Sequence, residues 1–197
     1  RLWTMAVFLF GVLPLTRKRK AGRIIIGDEY DSTRRFNYQG ITHYDAIYDQ
    51  SKYFDNAMTR YYLKKGWNIN QFSIIRCLSE LLILKILAKR YPDLQKHQVS
   101  CHASLEKDGR IYPCGNCEKC RRIIGLLSAL DEDPQRCGYS KDQIKNGLAA
   151  LEKFPVRQLG ADASHLFWLL LHKGLISENE FTAKQAKQHD YIMRLRF

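Results

Sequence analysis

Four of the six cysteines in this 197-residue chain fall at Cys101, Cys114, Cys117 and Cys120, one long spacer followed by two short ones. No other feature restricts the fold as much. Four thiolates can converge on one ion only if the long spacer runs out and back, and Asp108-Gly109 marks the turn such a loop needs. Gly115, inside the first short spacer, permits the positive φ by which a knuckle turns its amides toward sulfur. With every position taken by sulfur, a Zn2+ ion here has no open site and is structural. Paired disulfides are the competing use, but close-spaced cysteines with Cys77 and Cys137 left over suit a reducing cytoplasm better than a secreted framework. An iron–sulfur cluster is a second alternative, because three cysteines at two-residue spacers plus a remote one also suit a cubane. Ferredoxin-type runs set a proline after the remote cysteine, whereas His102 follows Cys101, which favours zinc. Cys77 and Cys137 read as buried thiols and not as ligands.

The remaining chain reads as α/β. Arg23 to Gly27, RIIIG, is a continuous β-branched run that fits a strand buried on both faces of a parallel sheet. Only short partners follow, at Phe72 to Ile75 and at Gln98 to Ser100, so the sheet is incomplete and earlier strands are expected upstream of Arg1. The opening run RLWTMAVFLFGVLP is too short to span a bilayer and reads as a core helix ending near Pro14, which leaves no membrane role. Phe54, Ala57, Met58, Tyr61 and Tyr62 share one helical face that closes at Gly66. Ser79 opens a helix with Leu82, Ile83, Ile86 and Leu87 inward, ending before Pro92. Arg121 to Leu130 forms another, and the polar break Asp131 to Pro134 divides residues 1–130 from a helical extension over 131–197. In that extension Ser140 with Gln143, and Ser177 with Glu180, make capping-box patterns, and His165 and His172 read as packing or surface histidines.

A formal charge of +12 exceeds what solubility needs and points to an anionic partner: nucleic acid, a nucleotide phosphate or an acidic protein. Ligands of open parallel sheets bind beyond the carboxyl ends of the strands, which singles out Asp28 and Glu29 for a ribose hydroxyl, a base edge or a magnesium ion. The alternative for both is an acidic loop capping the next turn. Asp49 and Lys52, just before a helix, suit a phosphate or carboxylate, or else an ordinary helix-start charge pair. Arg121 and Arg122, pinned by the metal, would clamp an anion, or pair with Glu118 or the acids after Leu130. A binding module without catalysis would stack bases on the tyrosines Tyr44, Tyr48, Tyr53, Tyr61 and Tyr62, which core packing also explains.

The order SC, long loop, CGNCEKCRR, after an LSELLILKIL helix and a strand ending in GDEYD, resembles the C-terminal part of the 7-cyano-7-deazaguanine synthase family of PP-loop ATP pyrophosphatases, over about Gly22 to Leu127. His43, Ser51, Lys52, Phe54 and Asp55 are similar to a stretch in a related PP-loop group that epimerises a glutamate of peptidoglycan precursors. The resemblance implies a doubly wound α/β domain with a four-cysteine zinc site, and an ATP- and Mg2+-dependent ligase. Such an enzyme adenylates a carboxylate, with a deazaguanine-like molecule among the expected substrates and a homodimer as one assembly. A tRNA-thiolating relative would instead need the iron–sulfur reading of the cysteines. The family's Ser-Gly-Gly-x-Asp-Ser phosphate loop is not found in these residues and is expected on upstream sequence, and where the family carries an arginine three places after the last cysteine this sequence departs from it, offering Arg121 and Arg122 instead.

Overall fold

The structure, a computed structural model, describes residues 4–44, 47–101, 103–156 and 160–195. Two compact units emerge. The first holds the chain up to Ser79 together with Leu195, and the second holds Glu80–Arg194. No helix among the described residues is long and apolar enough to cross a membrane.

In the first unit, α1 (Thr4–Lys18) leads into β1 (Arg23–Ile26), an antiparallel ribbon of β2 (Arg35–Tyr38) and β3 (Ile41–Tyr44), α2 (Lys52–Lys64) and β4 (Asn70–Ser73). Strands β1 and β4 pair in parallel, with Ile24 opposite Gln71 and Ile26 opposite Ser73. Ile24 and Ile26 join Leu9 and Leu13 of α1 and Phe54, Met58 and Tyr62 of α2 in one core. The strand is not buried on both faces as its sequence suggests: Ile25 is 55% exposed, because helices cover one side of the pair only. Helix α1 also runs four residues past Pro14. A proline inside a helix leaves one hydrogen bond unmade, at a cost of about 3 kcal/mol. Burial of Ala6, Leu9 and Leu13 along the same stripe offsets it.

The second unit contains α3 (Glu80–Arg90), the single turn α4 (Pro92–Gln95), a hairpin of β5 (Leu105–Lys107) and β6 (Arg110–Tyr112), then α5 (Glu118–Ala129), α6 (Lys141–Leu151), α7 (Ala161–His172) and α8 (Glu180–Gln185). Asp131 to Pro134, expected to divide 1–130 from 131–197, lies inside this unit, and α5 before the break packs on α6 and α7 beyond it. Gly125 and Gly147 permit that approach: a Cβ at either would collide with Leu151 or Ile124 of the facing helix. Gln98 to Ser100 belongs to no strand and has no ladder partner among the described residues; the amides of Gln98 and Val99 donate locally, to the carbonyls of Gln95 and His97. The buried stripe of α3 is Leu81, Leu84 and Ala88, one position from the expected one, since apolar residues occupy nearly every site and the packing partner decides which turn inward. The last capping box is formed by Asn179 with Thr182, while Ser177 offers its carbonyl to the Thr182 hydroxyl.

Candidate functional site

The four cysteines meet in the second unit. The β5–β6 hairpin, closed by Asp108 and Gly109 at φ 52° and 70°, carries the chain out and back from Cys101 to Cys114. Gly115 takes φ +79°, and Cys117 starts α5 so that Cys120 lies one turn along its buried side. All four Sγ atoms lie within 4.8 Å of one another, with Cys101 to Cys117 at 3.9 Å, Cys114 to Cys120 at 3.8 Å and Cys117 to Cys120 at 3.5 Å. Thiolates held tetrahedrally at about 2.3 Å from an ion stand roughly 3.8 Å apart, so the set can hold a metal ion as it stands. The backbone prepares the sulfurs for that charge. The amides of Ala103 and Cys114 each donate to Cys101 Sγ at 3.3 Å. Burial raises the Cys114 thiol, but the amides of Asn116 and Cys117 and the neighbouring thiols outweigh it and bring the group from 9.0 down to about 7. His102 lies outside the described residues. Cys137 is buried beside Gln98, away from the ligand set.

Arg121 and Arg122 follow directly on α5 and are engaged within this unit. The Arg121 guanidinium lies 5.2 Å over the Phe154 ring, and Arg122 pairs with Glu80 at 3.3 Å with both side chains mostly buried.

The first unit contains a cavity of about 400 Å3 lined by Tyr30, Thr33, Arg34, Lys52, Tyr53, Arg76 and Cys77. These residues come from segments that follow the carboxyl ends of β1 and β4 and from the start of α2, the position the topology of parallel strands selects. Arg76 organises its floor. One guanidinium nitrogen donates to the carbonyls of Glu29 and Gln50 and to the Ser32 hydroxyl, and the other meets Asp55 at 2.9 Å and Asp28 at 3.7 Å. Asp55 also accepts from Gln71, whose carbonyl oxygen accepts from Tyr62. Ser51 caps α2 through the Phe54 amide, which places Lys52 at the pocket and Asp55 on the core side.

Of the residues singled out in the sequence, Lys52 reaches the pocket, and Asp28 stands against Arg76 behind it. Glu29 enters through its backbone carbonyl. Asp49 is fully buried and accepts from the Ala6 amide at 3.1 Å, an anion at the first turn of α1 where the helix dipole favours one. Sequence reasoning missed Arg76 and Arg34. The strand-end rule that selected Asp28 applies equally to the residues after β4, and would have found Arg76.

Burial pushes the Asp28 carboxyl up from 3.8 to about 7, with Arg76 opposing and the charges of Glu29, Asp55 and Asp49 adding. The folded chain therefore holds this proton more tightly than the unfolded chain does. Stability should fall as pH rises from about 4 to about 7 and level off above. Asp28→Asn is expected to flatten that slope by on the order of 2 kcal/mol, measured by urea denaturation across the range. An unchanged slope would assign the dependence elsewhere.

Comparison with family models, with curated proteins and with solved structures finds no match to this chain.

Proposed function

We propose that this chain is the substrate- and metal-binding portion of an ATP-dependent enzyme of the PP-loop kind, resembling 7-cyano-7-deazaguanine synthase, with zinc as a structural ion. The observation that carries the reading is the cationic pocket beyond the carboxyl ends of the parallel β1–β4 pair. A carboxylate substrate fits its chemistry: Lys52 and Arg34 offer positive charge at the wall, Tyr30 and Tyr53 offer ring faces, and Arg76 holds the floor rigid through four acceptors and its ion pair with Asp28. The carboxylate oxygen attacks the α-phosphorus of ATP and pyrophosphate leaves. Ammonia then displaces AMP to give the amide, and a second adenylation of the amide oxygen, with loss of AMP and protons, gives the nitrile. The phosphate loop for ATP and Mg2+ belongs, on this reading, to sequence outside these residues, and the parallel sheet, two-stranded among the described residues, accords with further strands joining it.

The sulfur spacing supports one ion over a cubane, in which each cysteine binds a different iron and the thiolates stand further apart. Bound zinc supplies no chemistry to the reaction; Cys101, Cys114, Cys117 and Cys120 would use it to fix the hairpin to α5. Metal analysis of the purified protein should give one zinc per chain and no absorption band near about 400 nm. The full natural protein, given ATP, Mg2+, ammonium and a panel of carboxylates, should release AMP and pyrophosphate in a carboxylate-dependent manner. Lys52→Ala should reduce that rate at least about tenfold. No turnover with any carboxylate, together with no Ser-Gly-Gly-x-Asp-Ser segment in the full protein, overturns the reading.

A further inference from the structure

The amino-terminal end of the β1–β4 pair is ringed by cations. Two turns meet there, the one from α1 into β1 and the one from α2 into β4, joined by the bond from the Asn70 amide to the Gly22 carbonyl. They bring Arg17, Lys18, Arg19, Lys20 and Arg23 together with Lys64 and Lys65, and Arg60 stands one turn back from Lys64 on α2; all eight are exposed. None of them forms an ion pair with a described carboxylate. No acidic residue occurs from Thr4 to Gly27 or from Asn56 to Ser79, and the next acids in sequence, Asp28 and Asp55, are buried against Arg76. Helix dipoles account for Arg17, Lys18 and Lys64 in the last turns of α1 and α2. Arg19, Lys20 and Arg23 lie beyond the helix and add self-repulsion to the folded chain. Lys20 stands at φ 53°, a left-handed position that glycine fills without strain, as Gly66 does after α2 at 69°. The lysine therefore serves no need of the turn itself.

Between the two turns lies a cleft of about 260 Å3, to which the first contributes Thr16, Arg17 and Lys20 and the second Gly66, Trp67 and Asn68. The Arg17 guanidinium lies 4.5 Å over the Trp67 ring, which also stacks on Tyr62, and the Lys65 ammonium sits 5.7 Å over Tyr61. The rings hold the cations in place and are themselves engaged. That decides the partner. Protein interfaces centre on apolar anchors, and a bilayer surface is gripped by apolar side chains that insert. The tips of these turns, residues 19–22 and 64–68, carry Trp67 as their one large apolar side chain, and it is covered by Arg17. Fixed cations without a free ring match the phosphates of a nucleic acid and leave its bases unread.

We infer that the amino-terminal end of the β1–β4 pair docks the phosphate backbone of a nucleic acid without regard to sequence, centred on Arg17, Lys20 and Lys65 around the cleft. It lies at the opposite end of the strands from the pocket of Lys52 and Arg76 and does not rest on the function proposed above. The test is fluorescence anisotropy with the full protein and labelled oligonucleotides of about 16 nucleotides, RNA and DNA, single-stranded and duplex, each in two unrelated sequences. Binding should not distinguish the two sequences and should weaken at least about tenfold as salt rises from about 50 to about 200 mM, and the four arms identify the preferred strand. Lys20→Gly with Lys65→Gln removes two charges while easing the backbone at position 20, so circular dichroism should be unchanged and the slope of log affinity against log salt should fall by roughly 2. Lys141→Gln with Lys145→Gln, exposed on α6 of the other unit, removes the same charge and should leave that slope as it was. No binding at about 50 mM salt, equal weakening by both double variants, or discrimination between the two sequences would each overturn the inference. Capture by phosphatidylserine vesicles or by an acidic peptide, with no oligonucleotide bound, would overturn it and reassign the surface. Pyrophosphate release without oligonucleotide binding would overturn the docking alone, and oligonucleotide binding without carboxylate-dependent release the adenylation reading alone.

Discussion

Cys120→Ser is expected to empty the metal site and unfold much of Glu80–Arg194. Cys120 is fully buried, and its sulfur stands within 3.8 Å of Cys114 and 3.5 Å of Cys117. Structural zinc sites of this kind contribute apparent binding free energies of about 10–16 kcal/mol, comparable with the whole net stability of a domain. The hydrophobic core of this unit, built from Ile123, Ile124, Leu127, Leu166 and Leu170, retains part of the structure. A fall of at least about 10 °C in the thermal transition is therefore expected, with any bound metal lost to dialysis. Cys77→Ser should leave the metal content unchanged, because that thiol lines the pocket of the other unit. A Cys120→Ser protein that keeps its metal and melts within a degree or two of the natural one would remove the case for the site.

The second large effect is expected at Arg76. Replacing it by alanine strands Asp28 and Asp55, whose side chains are nearly inaccessible, and leaves the carbonyls of Glu29 and Gln50 without this donor. Removing one partner of a buried ion pair costs about 3–5 kcal/mol, because the remaining charge is neither solvated nor paired. The cost should depend on pH in a defined sense. Arg76 opposes the rise that burial gives Asp28, so without the guanidinium the Asp28 carboxyl holds its proton to higher pH, and the loss is smaller near pH 5 than near pH 8. Urea denaturation at both values measures it. A loss under about 1 kcal/mol at both would mean that water reaches these carboxylates.

How much of this could be read from the residues follows from how far apart the interacting groups lie. The cysteine site was legible because its spacing is local and sulfur has few alternative uses, and the Asp108-Gly109 turn because it is a two-residue device. The Ser140–Gln143 box was equally local and is present as read. Arg76 was not legible as an organising centre: its acceptors at Asp55, Gln50 and Glu29 lie 21, 26 and 47 residues away, and no periodicity links them. Arg121 and Arg122 show the same limit from the other side. Their local setting invited an anion, and Phe154, in the bend after α6, and Glu80 of α3 occupy them instead. In α3 the run of leucines and isoleucines left the inward face to the packing partners, which chose Leu81, Leu84 and Ala88.

Gln143 divides its amide between two tasks. Its oxygen accepts from the Ser140 amide to close the start of α6, and its nitrogen donates to the Cys114 carbonyl at 3.1 Å. A Cβ on Gly115 would occupy the space of that carboxamide, so the knuckle and the helix start are shaped to each other. A metal ion held by the four cysteines would therefore fix, through the Cys114 carbonyl, the same carboxamide that caps a helix twenty-odd residues on. A substitution at Gln143 would then alter the affinity of that site with every cysteine untouched.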